Sequence, residues 1–193
     1  MKERPIIFGG PMVRAILDGS KTQTRRIVKL RDGSLAQDED IPAHGECDGL
    51  VIPPPDYVMD FSKTFPQWQN RPCPYGKPGD HLWVRETFSL GTSQTVTYKA
   101  DFPDSCTIWK PSIHMPRWAS RITLEVVSVR VERLQDISEE DAKAEGAAIM
   151  KHDAIGWHSH KRGFQSLWES INGPGSWEAN QWVWVVEFKR IQP

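Results

Sequence analysis

The densest group of potentially reactive side chains lies at residues 20–26, where one amine, three hydroxyls and two guanidinium groups occur within seven residues. Lys21 and Thr24 in this segment could carry out acyl transfer, because a threonine hydroxyl becomes a nucleophile once a base removes its proton. A lysine is such a base when burial or a cationic neighbour lowers its pKa, and Arg25 and Arg26 are the cationic neighbours here. The alternative is a solvated basic turn whose hydroxyls cap backbone groups.

A short helix is predicted directly before this turn. Pro11 suits the first turn of a helix, and Met12, Ala15 and Ile16 recur at a spacing that places them on one buried face. Gly19 is typical of the residue just past a helix C-terminus. The two candidate side chains would point to opposite sides of a straight strand, so we expect the chain to bend after this glycine and bring them together.

A distant carboxylate is the third candidate. Ser138 opens a capping-box pattern, and the predicted helix runs to about Glu145 and stops at Gly146. A negative charge in the last turn faces the unfavourable end of the helix macrodipole and costs roughly 0.3–1 kcal/mol. Glu145 is therefore a candidate acid catalyst, and an ordinary exposed glutamate is the alternative.

The remaining pattern predicts short helices and about five or six strands, which is typical of an α+β fold with a curved sheet or small barrel. Strands are expected at 6–8, 81–88, 95–100, 121–134 and 182–188, and an amphipathic helix at 161–171. The alternation slips near Val126 and Val127, which indicates a bulge or a strand buried on both faces. Prolines and glycines crowd residues 31–78, so we expect an irregular insertion, a lid or pocket rim, within one domain spanning 1–193.

Two further groups of side chains could bind a ligand. The link at 111–118 contains His114, Arg117 and Trp118, which could line a pocket and stack on a base, or could form a packed crossover connection. In the strand before it, Glu86 could act in catalysis or form a structural ion pair with an arginine of the opening turn. Trp83 lies on the opposite face of that strand from Glu86.

A metal site is not expected. His152, His158 and His160 resemble a ligand group, but only Asp153 lies at a suitable spacing, and a flexible histidine-rich loop is favoured. The sequence has no P-loop, GxGxxG, HExxH or GxSxG motif, which argues against the commonest nucleotide-cofactor and hydrolase classes. We expect no cofactor.

The composition predicts a cytoplasmic chain with no membrane segment. The formal net charge is −1, so any contact with nucleic acid must come from a local basic patch. No run of about 18 apolar residues is present, and the N-terminus lacks the features of a signal peptide. Cys47, Cys73 and Cys106 are odd in number and widely spaced, as is typical of a reduced chain.

Several segments together resemble the ASCH domain, whose fold is PUA-like. The likeness lies in residues 19–26, 79–86, 122–126, 137–142 and 184–188. The proline-containing link and tryptophan-rich C-terminal part are similar to longer members found in phages and prophages. The resemblance implies a PUA-like (ASCH) curved β-barrel of about five to six strands with short flanking helices.

The same resemblance implies a function. Small bacterial members include amidohydrolases that remove the acyl group from N4-acetylcytidine and related N4-acylcytosines, with a Lys, Thr and Glu set that matches Lys21, Thr24 and Glu145. No metal is needed in such a scheme. Other members are implicated in RNA binding or RNA cleavage, so an RNA-binding module without catalysis and a ribonuclease are the alternatives. The residues expected to bind a nucleoside, or possibly RNA, are Phe8, Arg26, Trp83, Glu86, His114, Arg117 and Trp118.

Overall fold

The computed structural model describes residues 1–29, 33–36, 73–91, 95–105, 108–152 and 157–191. Most of the predicted insertion at 31–78 therefore lies outside the described residues. In chain order the elements are β1 (Glu3–Ile7), α1 (Gly10–Leu17), β2 (Gln23–Ile27), β3 (His81–Arg85), β4 (Phe88–Leu90), β5 (Val96–Tyr98), 3-10 turns at Ser112–His114 and Arg117–Ala119, β6 (Thr123–Arg133), a 3-10 turn at Leu134–Asp136, α2 (Glu139–Ala144), β7 (Met150–His152), β8 (Trp157–Ser159), α3 (His160–Asn172) and β9 (Trp182–Ile191).

Five of these strands form one sheet in the order β1-β3-β6-β9-β2, and two hairpins, β4–β5 and β7–β8, stand beside it. The β1–β3 pair is parallel, and the other pairs of the sheet are antiparallel. The predicted α+β class is confirmed. Within the described ranges, backbone pairing leaves the sheet open with β1 and β2 as its edges. The Arg26 side chain nevertheless spans both edges, because its Nη2 donates to the Ile7 carbonyl at 2.6 Å.

Both faces of the sheet are buried along β9, as its alternate residues show. Trp184 and Val186 pack in a core with α1, whereas Val183 and Val185 pack in a second core with α2 and α3. Successive side chains of a strand point to opposite faces, so an almost wholly apolar β9 is what a sheet covered on both sides requires. The helices that carry the candidate site are therefore held on opposite faces of one sheet.

Local predictions for the elements were mostly confirmed. The register of β6 shifts between Val126 and Ser128, at the predicted phase slip, and Val127 is exposed there. The strand expected at 81–88 instead ends at Arg85, and the chain resumes as β4 at Phe88. The expected histidine-rich loop is partly wrong, since residues 150–152 and 157–159 form a hairpin. None of the described helices has the length and apolar character needed to cross a membrane.

Candidate active site

The two halves of the site meet where the link after α1 lies against the end of α2. Lys21 and Glu145 form an isolated antiparallel bridge, and the Lys21 amide donates to the Ala15 carbonyl at 2.9 Å. Gly146 follows with φ +75°, and a Cβ there would lie 3.1 Å from that of Ala15 and 3.2 Å from that of Lys21. Only glycine combines this conformation with so close an approach. The predicted helix stop thus also brings Lys21 and Glu145 together.

The Lys21 amine is buried and fully hydrogen-bonded. Its Nζ donates to the Gln23 carbonyl at 2.7 Å, to the Glu145 carbonyl at 2.8 Å and to Glu145 Oε2 at 2.8 Å. An ammonium has three hydrogens, so these acceptors use all of them. Burial lowers the pKa of Lys21, the Glu145 charge opposes this effect, and Arg26 and Arg25 add to the lowering.

Arg25 holds the other oxygen of the Glu145 carboxylate. Its Nη1 donates to Glu145 Oε1 at 3.3 Å, and its Nη2 donates to Asp141 Oδ2 at 3.0 Å and also to Glu132. The Arg25 side chain is completely buried. Although burial alone would raise it, the charges of Arg25 and Arg130 keep the pKa of Asp141 below its ordinary value. The Glu145 carboxylate is thus fixed between a lysine and an arginine.

A cavity of about 390 Å³ opens beside this ion pair, with Thr24, Arg26 and Glu145 among its lining residues. Its volume lies within the range of roughly 300–1,000 Å³ typical of small-molecule sites. Much of the remaining wall is aromatic, from Tyr75, Phe164, Trp168 and Trp184. Lys21 does not line the cavity and contacts it through Glu145.

The predicted convergence of Lys21 and Thr24 is only partial. Thr24 is buried at the cavity wall, and no hydrogen bond joins its hydroxyl to another residue in the described part of the chain. Phe8 lies behind the wall, with its ring centre 5.7 Å from Lys21 Nζ and 5.3 Å from Arg26 Cζ. Phe8 therefore stabilises the two cations that flank Thr24 and does not itself line the cavity.

Glu86 belongs to a different part of the structure. The expected pairing with an arginine of the opening turn is wrong, because Glu86 accepts two bonds from Arg121, at 2.9 Å from Nε and 3.1 Å from Nη2. Arg121 in turn donates to both oxygens of Asp101 and packs over the ring of Tyr98. Glu86 closes a structural ion pair and does not line the cavity.

The other four expected binding residues also lie away from the cavity. Trp83 stacks between two arginines, with its ring centre 5.4 Å from Arg85 Cζ and 6.0 Å from Arg117 Cζ. Arg117 makes two hydrogen bonds with the carboxylate of Glu3 in β1. His114 and Trp118 are exposed beside them. These side chains form a surface group next to the β1–β3 pair, and we leave them out of the proposed site.

Sequence reasoning missed most of the cavity wall. The predicted amphipathic helix has Phe164, Leu167, Trp168 and Ile171 on one apolar face, and the structure shows that this face also lines the cavity. One signal was the length of the apolar stripe, because Ile171 continues it yet is 56% exposed. A stripe that is longer than the core beneath it leaves apolar surface for a ligand.

No cluster of three or more His, Cys, Asp or Glu residues that could hold a metal ion is found in the described part of the chain, and Asp153 lies outside that part. His158 is exposed, and His160 begins α3 with its Nδ1 2.8 Å from the Ala147 carbonyl. This ring therefore helps fix the start of the helix that forms one side of the cavity.

Comparisons with models of protein families, with curated proteins and with solved structures gave no match. The chemistry of the cavity must therefore be inferred from the residues that surround it.

Proposed function

We propose that the protein is an amidohydrolase that removes the acyl group from N4-acetylcytidine and related N4-acylcytosine nucleosides, on a PUA-like fold of the ASCH kind. The observation that carries the proposal is the buried pair of Lys21 and Glu145, joined at 2.8 Å next to a cavity that Thr24 also lines. These are the three residues that the ASCH resemblance assigns to catalysis. The finer fold assignment is supported by the Arg26 contact that spans the two sheet edges.

The cavity suits a nucleoside in its chemistry. Trp184 and Tyr75 offer aromatic surface for a cytosine base, and base–aromatic stacking contributes about 1–3 kcal/mol per base. Arg26 supplies a cation at the same wall, which could bind the amide oxygen as negative charge develops on it.

The proton needed for acid–base chemistry can move within the ion pair. Transfer from Lys21 Nζ to Glu145 Oε2 turns an ammonium and a carboxylate into an amine and a carboxylic acid. The pair carries no net charge before or after the transfer, so burial does not oppose it. The product is a neutral lysine, which can act as a base, next to a protonated glutamate, which can act as an acid.

In the first half-reaction, Thr24 Oγ1 attacks the acyl carbonyl and its proton passes to the neutral amine of Lys21. The C–N bond then breaks, and the acid form of Glu145 gives its proton to the departing N4 nitrogen. Cytidine leaves with an intact amino group, and the acyl group remains on Thr24 as an ester.

In the second half-reaction, a water attacks the ester, Glu145 takes the proton of the water, and Lys21 returns a proton to the Thr24 oxygen. The carboxylic acid leaves and the pair regains its starting state. A variant of this scheme uses the same pair to activate water directly, with Thr24 only positioning that water.

A binding module without catalysis is the second candidate. It is favoured by the saturation of the Lys21 hydrogens and by the lack of a bond between Lys21 and the Thr24 hydroxyl. In that case the ion pair would only tie α2 to the opening segment, and the cavity would hold a nucleoside or an RNA base unchanged.

The test is hydrolysis of N4-acetylcytidine by EDTA-treated protein, followed by the ultraviolet change to cytidine. We expect turnover by the wild type and a loss of at least about 100-fold in Lys21→Ala, Thr24→Ala and Glu145→Ala. Matched controls at exposed positions should keep wild-type rates; they are Lys143→Ala, Thr22→Ala and Glu140→Ala. An inert wild type that still binds the nucleoside would support the binding module, as would salt-dependent retention of RNA without turnover.

A further inference from the structure

A second cavity, of about 430 Å³, adjoins the first. Met12, Glu145 and Leu167 line both cavities and form the boundary between them. A molecule bound in one cavity therefore reaches the other by passing the candidate catalytic glutamate.

The two cavities differ in the chemistry of their walls. The first has Arg25, Arg26 and Lys29 beside its aromatic residues. Around the second, Glu145 is the one ionisable residue among the described lining residues, and the others are apolar or small. Such a wall fits a hydrocarbon chain and offers little to a charged or strongly polar group.

Small residues on α3 keep the second cavity open. Gly163 packs so tightly against the chain after α2 that a Cβ there would lie 1.9 Å from the Ala148 carbonyl oxygen. Helix and loop therefore meet backbone to backbone at this point. Ser166 and Ser170, which follow on the same helix and line the cavity, are too short to fill the space beside this contact.

We propose that the second cavity is the acyl pocket, and that the cytosine base lies in the first. The amide bond then crosses the boundary beside Glu145, where the leaving nitrogen must receive a proton. This assignment rests on the proposed amidohydrolase function and adds the substrate class: linear, apolar N4-acyl groups longer than acetyl are accepted, with the residues around Ser166 setting the permitted length.

The experiment compares N4-acetylcytidine with N4-hexanoylcytidine in the wild type and in Ser166→Trp, which places a large ring in the second cavity. We expect the wild type to hydrolyse both compounds. Ser166→Trp should lose at least about tenfold in kcat/KM for the hexanoyl compound, because each methylene excluded from an apolar pocket costs a similar factor. The ratio of kcat/KM for the hexanoyl compound to that for the acetyl compound should therefore fall by about tenfold or more, because the acetyl group has four methylenes fewer to lose.

Gln165→Trp is the matched control, since Gln165 is the neighbouring residue on α3 and lines neither cavity. It should leave both rates unchanged. Ser170→Trp, one turn further along, repeats the block if Ser166→Trp does not fold. A wild type that hydrolyses the acetyl but not the hexanoyl compound, or a block that slows both equally, would overturn the acyl pocket alone. A wild type inert towards both compounds would overturn the amidohydrolase proposal and this assignment with it.

Discussion

Two buried glutamates, Glu145 and Glu86, show how differently the same kind of ion pair can be used. Glu145 is 4% exposed and accepts from Lys21, and Glu86 is 2% exposed and accepts from Arg121. Each pair joins segments far apart in the sequence. By burial and hydrogen bonding alone, neither could be singled out as reactive.

The partner of each glutamate makes the difference. A buried lysine can give up its proton, whereas the guanidinium of an arginine stays charged. Arg121 is also held by Asp101, and Glu86 lines neither of the two cavities described above. Burial raises the pKa of Glu86, and Arg121 opposes this effect. A buried carboxylate becomes a candidate catalyst when its partner can exchange a proton and a ligand can reach it.

The largest expected effect separates the two pairs by activity. Lys21→Met should lower kcat/KM for N4-acetylcytidine by about 1,000-fold, because it removes the only amine of the pair. Glu86→Gln keeps the shape of its side chain and should stay within about threefold of the wild type. The measurement is initial-rate kinetics on both variants. Equal losses of kcat/KM in the two variants would show that the two ion pairs do not differ in their role in catalysis.

Stability gives the next largest effect. Lys21→Met should lower the free energy of unfolding by about 3 kcal/mol, because it strips one partner from a buried charge. Adding Glu145→Leu should recover most of that loss without restoring activity. Arg121→Met should cost less, since the Arg121 side chain is 25% exposed. Urea unfolding gives the free energy of unfolding of all three variants. If the double variant is no more stable than Lys21→Met, the loss of stability does not come from the buried charge of Glu145.

The dependence of activity on pH should also differ. The active form of the Lys21–Glu145 pair carries one proton, so kcat/KM should fall about tenfold per pH unit above the pKa of Lys21, which burial holds below the usual lysine value. Between this lowered pKa and the usual lysine value the unfolded chain binds more protons than the folded one, so stability should rise with pH there. Lys21→Met should lose this rise in stability and Glu86→Gln should keep it. A wild-type kcat/KM that does not fall through this pH window would argue against a shared proton on the Lys21–Glu145 pair.

The smallest effect concerns the helix that carries Glu145. The Ser138 hydroxyl caps α2 by accepting from the Asp141 amide at 3.0 Å. Ser138→Ala should cost about 1 kcal/mol of stability, and kcat/KM should fall severalfold as the end of α2 loosens. Ser138→Thr retains the acceptor and should restore both quantities. The measurements are the melting temperature and kcat/KM of both variants. An unchanged kcat/KM in the destabilised Ser138→Ala would show that the helix cap does not affect the site.

Features governed by neighbouring residues could be predicted from the sequence. The start of α2 follows from the Ser138 cap, and its end follows from Gly146, which has φ +75°. The bulge in β6 follows from the slipped alternation at Val127. Capping, glycine conformation and strand period act over a few residues, so the chain displays them without its tertiary context. The pairing of Lys21 with Glu145 was expected from the ASCH resemblance, not from such rules.

Features that depend on distant elements were missed. Arg25 contacts three carboxylates: Glu132 in β6, Asp141 in α2 and Glu145 just after α2. No pattern of neighbouring residues predicts that arrangement. The apolar stripe of α3 showed a buried face but not that a cavity continues it. The link with His114, Arg117 and Trp118 was expected to line a pocket, yet the chain carries it to β1, where Arg117 pairs with Glu3. The sequence shows which residue types lie near one another along the chain, but the tertiary fold determines whether they line the cavity.

The most direct test of the central claim is the rate of cytidine release from N4-acetylcytidine by the wild type and by Lys21→Arg, measured side by side. The substitution keeps a cation opposite Glu145 but removes the capacity to give up a proton. Far-ultraviolet circular dichroism and thermal unfolding establish that both proteins are folded. If the Lys21–Glu145 pair exchanges a proton during catalysis, the wild type should release cytidine and folded Lys21→Arg should show no release above background. Turnover by Lys21→Arg at the wild-type rate would contradict it.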